Sequence, residues 1–395
     1  MIVVTGSGAG PSALAAADAA LEQVAGGLGG QPPELVVAFI GGDYADEAEP
    51  IRQRIVERLA PRHVLGATAG GVIVDAREIE DPAALSLWAA HLPGAELTPL
   101  AWSPPLDRPA DAGDLGWDPP PESAMGLIAL ADPFTFPADA FLSWLQHVRP
   151  GLPVSGGLAS GSLRPGGNRL LLDGEVLEEG AVGIAVGGDV RLRTLVSQGC
   201  RPVGSSWVVT RAERNLLQEL GGAPPVERIQ ETYADADPAD RDLMRAGLQI
   251  GMVIDEYRDT FDRGDFLVRG VIGAEPETGA VAVGDIIEVG QTVQFHVRDA
   301  DSADEDLREL LDRFSAEVDP PAGALLFTCN GRGARLFGSD SHDALLVREA
   351  LGAPPVAGFF CAGEFGPVGQ RAFLHGFTAS IAVLEEVGAA ASAQM

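Results

Sequence analysis

The residues of this 395-residue chain that could do chemistry gather in its last third. Phe327-Thr-Cys-Asn-Gly-Arg-Gly333 is an apolar run entering a glycine turn, where backbone N–H groups can point at a ligand. Arg332 and Arg335 could each grip a carboxylate through two parallel hydrogen bonds, with Asn330 beside them. Further on, Gly358-Phe-Phe-Cys-Ala-Gly-Glu364 supplies Glu364, which could accept from an ammonium group. Together these groups suit an amino acid. The competing reading gives the glycines to tight turns and pairs Arg332 with Glu364.

A second group, His296-Val-Arg-Asp299, falls on an alternating stretch, so period two puts His296 and Arg298 on one face. Arg298 is then either a further anion ligand or the partner of Asp299 in capping the helix expected over Asp304–Phe314, with Ser302 at its N-cap. Cys329, Cys361 and His375 complete the ligand-binding set and raise a rival, a thiol-dependent enzyme. A nucleophilic cysteine needs a nearby base and a lowered pKa. Cysteine among Phe and Ala is otherwise a small buried hydrophobe, so no residue is assigned a catalytic role and the enzyme question stays open.

Other chemistries are excluded more directly. All 27 basic residues are arginine. Without lysine there is neither a Schiff-base amine nor a P-loop. The six histidines are scattered, and His342-Asp343 is adjacent rather than at helical spacing, so no metal site is expected. Gly6-Ser-Gly-Ala-Gly10 has the wrong spacing for a dinucleotide loop, and no cofactor is expected. A net charge of −30 argues against nucleic acid and against anionic membranes, leaving an acidic protein-interaction scaffold as a third function class. Three widely spaced cysteines, no leader pattern and no long apolar run point to the cytoplasm.

The elements that must position these groups recur three times. Leu35–Ile40, Leu127–Ala131 and Ala324–Cys329 each read as a strand. Helix-like stretches follow at Pro50–Leu59, Pro137–Val148 and His342–Leu351. Next come the glycine turns Gly66–Gly71, Gly156–Gly161 and Gly358–Gly363, and then the apolar runs Ala84–Leu92, Gly180–Val186 and Phe377–Leu384. That order predicts an α/β (mixed α+β) fold: mixed sheets with covering helices, built from divergent strand–helix–glycine-turn repeats. Phe266–Ile272 and Gly279–Val283 read as a hairpin, Gln291–Val297 as a strand, and Ser103–Glu122 as a surface loop. Val226–Thr232 and Pro238–Gly247 follow a break near Gly221–Pro225, which places a domain boundary there.

Several strings resemble a known family. Asp18-Ala-Ala-Leu-Glu22, Leu35-Val-Val-Ala-Phe39, Val64-Leu-Gly-Ala-Thr-Ala-Gly-Gly71 and Arg77-Glu-Ile-Glu80 are similar to the N-terminal FIST domain. Gly264-Asp-Phe-Leu-Val-Arg-Gly270, Gly290–Asp299, Phe327–Gly333, Gly358–Glu364 and Leu374-His-Gly-Phe-Thr-Ala-Ser380 resemble the C-terminal one. The resemblance implies domains at 12–221 and 226–385, and a sensory role in bacterial signal transduction with a small-molecule ligand. Because the two halves take up nearly the whole chain, it also implies a separate signalling partner protein.

Overall fold

A computed structural model describes residues 1–103, 116–258, 261 and 263–387. Of the loop expected over Ser103–Glu122, residues 104–115 lie outside the described residues. The chain forms two compact units. The larger comprises Met1–Ser197, Leu307–Leu374 and the segment from Thr378 on; the smaller comprises Gln198–Asp306 with His375–Phe377.

The larger unit is built from the three repeats. The first runs β1 (Ile2–Ala9), α1 (Ala13–Leu28), β2 (Leu35–Gly41), α2 (Ala48–Leu59), β3 (His63–Ala69), a short hairpin β4 (Val72–Val74) and β5 (Arg77–Ile79), then β6 (Ala84–His91). The second runs β7 (Ala95–Trp102), β8 (Ala124–Ala131), α3 (Ala138–Val148), β9 (Val154–Leu158), the hairpin β10 (Leu170–Leu172) and β11 (Glu175–Leu177), then β12 (Ala181–Gly188). The third opens with β13 (Val190–Gln198) and resumes after the smaller unit.

The smaller unit contains β14 (Cys200–Glu213), β15 (Leu216–Leu220), α4 (Pro225–Asp235), α5 (Pro238–Ala246), β16 (Leu248–Val253), β17 (Phe266–Ala274), β18 (Val281–Val283) and β19 (Thr292–Arg298). Its strands close into a barrel in the order β14-β15-β18-β17-β16-β19. The expected hairpin is β17–β18, turning through Gly279 at φ 71°. Val293, Phe295 and Val297 of β19 enter the barrel core, which leaves His296 on the opposite face, against the Phe266 ring.

Helix α6 (Ala300–Glu317) starts four residues earlier than expected. Ser302 lies inside it. Asp299 takes the capping position instead, accepting from the Asp301 amide at 3.2 Å and the Ser302 hydroxyl at 3.0 Å. Its ion-pair partner is Arg201 rather than Arg298. The third repeat then continues with β20 (Gly323–Cys329), α7 (Ala334–Phe337), α8 (His342–Ala350), β21 (Val356–Cys361), β22 (Glu364–Val368), β23 (Arg371–His375) and β24 (Thr378–Glu386).

Each repeat lends its hairpin to a neighbour. The three sheets are β1-β6-β2-β3-β10-β11, β7-β12-β8-β9-β22-β23 and β13-β24-β20-β21-β4-β5, so the exchange runs cyclically. Within each sheet one parallel pair, β2–β3, β8–β9 or β20–β21, carries the crossover helix. Residues of all three sheets share one core: Phe39 stacks on Phe359 at 5.1 Å and meets the edge of Phe327 at 6.1 Å, with Ile128, Leu130 and Ile184 packed in. Helices cover the outer faces: α1 and α2 on the first sheet, α3 on the second, α6 and α8 on the third.

Glycine is required where the parallel strands approach most closely. A Cβ on Gly66, Gly156 or Gly358 would lie 2.5, 1.8 or 1.7 Å from the carbonyl oxygen of Ala38, Ala129 or Leu326 on the neighbouring strand. No side chain can move aside there, because the obstacle is backbone. Overpacking a core costs ~1–3 kcal/mol even where side chains can yield. Gly358→Ala should therefore destabilise the larger unit by more than ~3 kcal/mol, and Gly66→Ala by less, measured by urea denaturation.

Candidate functional site

Parallel strands deliver their C-terminal ends to one side of a sheet, where α/β proteins place ligands. Here the three glycine turns interlock at those ends. Ser160 N donates to Thr68 O at 3.1 Å, and Ala362 N to Leu158 O at 3.0 Å. The third bond of the cycle is Phe360 N to Gly71 O at 3.1 Å, and the Ser160 hydroxyl braces it, accepting from Gly70 N at 2.9 Å and donating to Phe360 O.

Beside the turns, the ends of β20 and β21 hold a buried polar cluster. Arg332, fully buried, donates Nε and Nη2 to the two oxygens of Asp343 at 2.6 and 2.8 Å. Thr328 Oγ1 donates to the same carboxylate at 2.8 Å. The guanidinium lies 5.1 Å over the Phe337 ring, which also stacks on His342. Burial works against the Asp343 charge, but Arg332 and its hydrogen bonds hold this carboxyl well below the usual carboxylate range. Arg332 thus pairs with Asp343, and the nearby Glu364 charge also favours its charged form.

Glu364 is fully buried as well. Its Oε2 accepts from Thr378 Oγ1 at 2.9 Å and Thr378 N at 3.2 Å. Oε1 has no hydrogen-bond partner among the described residues. Burial pushes its pKa up to about 8, against the lowering effects of Thr378 and Arg332. Register shows how unusual this is. Glu364 lies opposite Gly157, and the equivalent positions of the other two hairpins are Leu170 opposite Ala67 and Val72 opposite Phe359. Both of those are fully buried aliphatics. By contrast, the buried Asp132 of the second repeat is satisfied at both oxygens, by Asn168 and by the Phe134 and Thr135 groups that follow it.

Cys361 is buried next to this carboxyl. Burial, then the Glu364 and Cys329 charges, push its thiol well up. Its Sγ–H points at Phe359 O, 3.6 Å away. Asn330 and Arg335 are exposed, with Asn330 N donating to Cys361 O at 2.9 Å. The structure therefore brings Cys329, Asn330, Arg332, Arg335, Cys361 and Glu364 into the larger unit, on neighbouring strand ends and turns. Arg298 and His375 belong to the smaller unit, where Arg298 lies 4.9 Å over the Phe377 ring. His296 is buried there, its pKa lowered by burial to about 4, with Nδ1 on Gln294 O at 3.0 Å.

Three participants escaped the sequence reading: Thr328, Asp343 and Glu78. Glu78, from the first repeat's hairpin, accepts the Ala344 amide at the start of α8 at 2.9 Å, and its neighbour Glu80 accepts from Ala334 N at 2.7 Å at the start of α7. Burial and then the Asp343 charge raise Glu78 to about 7. The signal in the sequence was Glu78 on a short hairpin strand with Glu80 just past its end, which needed a known partner to be interpreted. Two clefts, of about 450 and 280 Å³, open elsewhere on the larger unit and are lined by none of the eight expected residues. Among the described residues no group of three or more His, Cys, Asp and Glu could hold a metal, and no helix is long and apolar enough to cross a membrane.

These features define a mixed α+β protein of three hairpin-exchanged repeats with an inserted barrel, carrying a buried, incompletely satisfied carboxyl beside its glycine turns. The FIST N domain model matches residues 34–223 and the FIST C domain model residues 225–367, so the chain belongs to the FIST family. FIST domains are associated with signal transduction and small-ligand sensing. An uncharacterized protein of Mycobacterium tuberculosis is 41% identical over 373 residues, covering 94% of this chain and 95% of that protein. Another, from Mycobacterium bovis, is 40% identical over 374 residues, covering 94% and 96%.

Two predictions follow from the buried charges. Asp343→Asn strands the Arg332 cation in the core and should cost ~3–5 kcal/mol by chemical denaturation. Glu364 and Glu78 retain protons in the fold that the unfolded chain releases above its ordinary carboxylate pKa, so their contribution to stability falls as pH rises toward about 8 and about 7. Melting temperature should therefore drop between roughly pH 5 and 8, and Glu364→Gln should flatten that slope.

Proposed function

We propose that this protein is a small-ligand sensor that takes its ligand at the ends of β20 and β21 and passes the event to a separate partner protein in the cytoplasm. An amino acid is the first ligand class. The observation that carries this reading is Glu364: a buried carboxyl with an unmet oxygen, standing where the sister repeats place aliphatic residues. Buried polar groups are normally satisfied, and exceptions concentrate at functional sites. A ligand ammonium beside Oε1 supplies the missing donor and ionises the carboxyl. Arg332 is committed to Asp343 and serves to position the turn, so the ligand carboxylate falls to the exposed Asn330 and Arg335. Arg298 and His375 carry no part in this version. Family membership supports the sensing role, and the three cysteines, none in a disulfide, suit a reducing compartment.

The thiol-enzyme alternative is opposed by the site's electrostatics. A nucleophilic cysteine needs its thiolate stabilised, whereas burial and Glu364 drive Cys361 the other way.

Calorimetric titration with the common amino acids at pH 7 tests the reading. Binding should release close to one proton per ligand, seen as a heat that varies with buffer ionisation enthalpy. The signal should vanish in Glu364→Gln. Absence of binding by every amino acid up to about 10 mM, where a ligand with a Kd of about 1 mM would be about nine-tenths bound, would sink the amino-acid version.

A further inference from the structure

The three exchanged hairpins share a register, and one of them departs from the pattern where it turns. Leu172 pairs with Leu65 on β3, and Val74 with Ala357 on β21; the next residue in each hairpin is an aspartate. Asp173 and Asp75 both adopt left-handed backbone, at φ 48° and 51°. Each clasps the start of the adjoining strand with two bonds. Asp173 N donates to Val64 O at 2.8 Å, and its Oδ1 accepts from Val64 N at 3.1 Å. Asp75 N donates to Val356 O at 2.6 Å, and its Oδ1 accepts from Val356 N at 3.4 Å.

On β9 the equivalent residue is Val154. The paired residues end at Phe365–Gly156; counting two residues on puts Pro367 at the aspartate position, and Pro367 and Val154 line one cleft. Proline has no N–H to give and no carboxylate to offer. Neither clasp bond can therefore come from residue 367.

The 280 Å³ cleft opens at this junction. Its lining includes Val154, Pro367, Thr194, Gln370, Arg193 and Arg371, and among the described residues it contains no carboxylate. In a chain with 57 acidic and 27 basic residues, that is a local reversal of charge. Arg371 is exposed and forms no ion pair among the described residues, whereas Arg193 is ion-paired with Glu317 and Glu385 at 3.6 and 3.8 Å and lies 5.0 Å over the Phe314 ring. The 450 Å³ cleft is the opposite case, lined by Glu317, Asp319, Glu385 and Glu386.

We propose that the cleft binds a small carboxylate that stands in for the missing aspartate. The ligand's carboxylate accepts from the Val154 N–H, while Arg371 meets its charge. A donor on the carbon chain reaches the Val154 carbonyl, as the aspartate N–H does at the other two junctions. β-Alanine reproduces the spacing between N–H and carboxylate of an aspartate residue, so it is the natural probe. This site is separate from Glu364 and does not depend on the reading given to it.

The experiment is a titration of the full chain with β-alanine, acetate and chloride at constant ionic strength, followed by heat or by amide NMR shifts. Saturable binding is expected in the millimolar range, tighter for β-alanine than for acetate and absent for chloride. Arg371→Gln, a surface change, should weaken it at least about fivefold, the scale of one charge-assisted contact. Pro367→Asp should install the clasp, raise the melting temperature and abolish binding, while Glu364→Gln should leave binding intact. The proposal is overturned if chloride competes equally, if Arg371→Gln binds like the parent, if folded Pro367→Asp retains full affinity, or if no ligand saturates below about 50 mM, where a ligand this small has lost all useful affinity.

Discussion

The close approach of each parallel strand pair governs this molecule. Gly66, Gly156 and Gly358 let one strand's backbone lie against its neighbour's carbonyl, closer than any side chain would allow. Because the pairs are so tight, their ends come near enough for the three glycine turns to hydrogen-bond backbone to backbone in a ring, braced by the Ser160 hydroxyl. The ring in turn holds three sheets face inward on one core, with every crossover helix left outside. Close packing of this kind transmits any change in volume directly to neighbouring backbone.

Departures from the repeat are where chemistry accumulates. Val72 and Leu170 are what a buried hairpin position calls for, and Glu364 is not. The Arg332–Asp343 pair nearly cancels its own charge and contributes a rigid, neutral wall next to that carboxyl. The wall is held from elsewhere in the chain, since Glu78 and Glu80 of the first repeat fix the N-termini of α8 and α7. Such a borrowed support couples the cluster to a segment far from it in sequence.

Much of the architecture was legible in the amino-acid order. Strand, helix, glycine turn and strand recur because each repeat solves the same packing problem with the same local pattern, and β2, β8 and β20 all lie where the apolar runs are. The hairpin exchange was not legible. Val72–Val74 and Arg77–Ile79 were not read as a hairpin, because β4 docks on the distant β21 and nothing local records that pairing. The barrel hid for a related reason: β14 carries a proline, a glycine and two serines, and a register shift interrupts its pairing with β19. In the site, Arg332 and Glu364 stood out as charges in apolar surroundings, and they do share one cluster. Asp343 did not stand out, since an acidic residue in a helix's first turn looks like ordinary dipole compensation until a buried arginine is seen beside it.

The exchange of hairpins also orders events in time. On a ribosome the β4–β5 hairpin emerges early, but its docking strand β21 is among the last segments made. The first sheet likewise waits for β10, and the second for β22. All of the barrel strands, in contrast, lie within one contiguous stretch from β14 to β19. The smaller unit can therefore assemble while its host is still three unfinished sheets with open edges. Long-range strand pairing of this type is slow and leaves sticky edges exposed. In the cell, the larger unit is the part that must be kept from its neighbours until the C-terminal strands arrive.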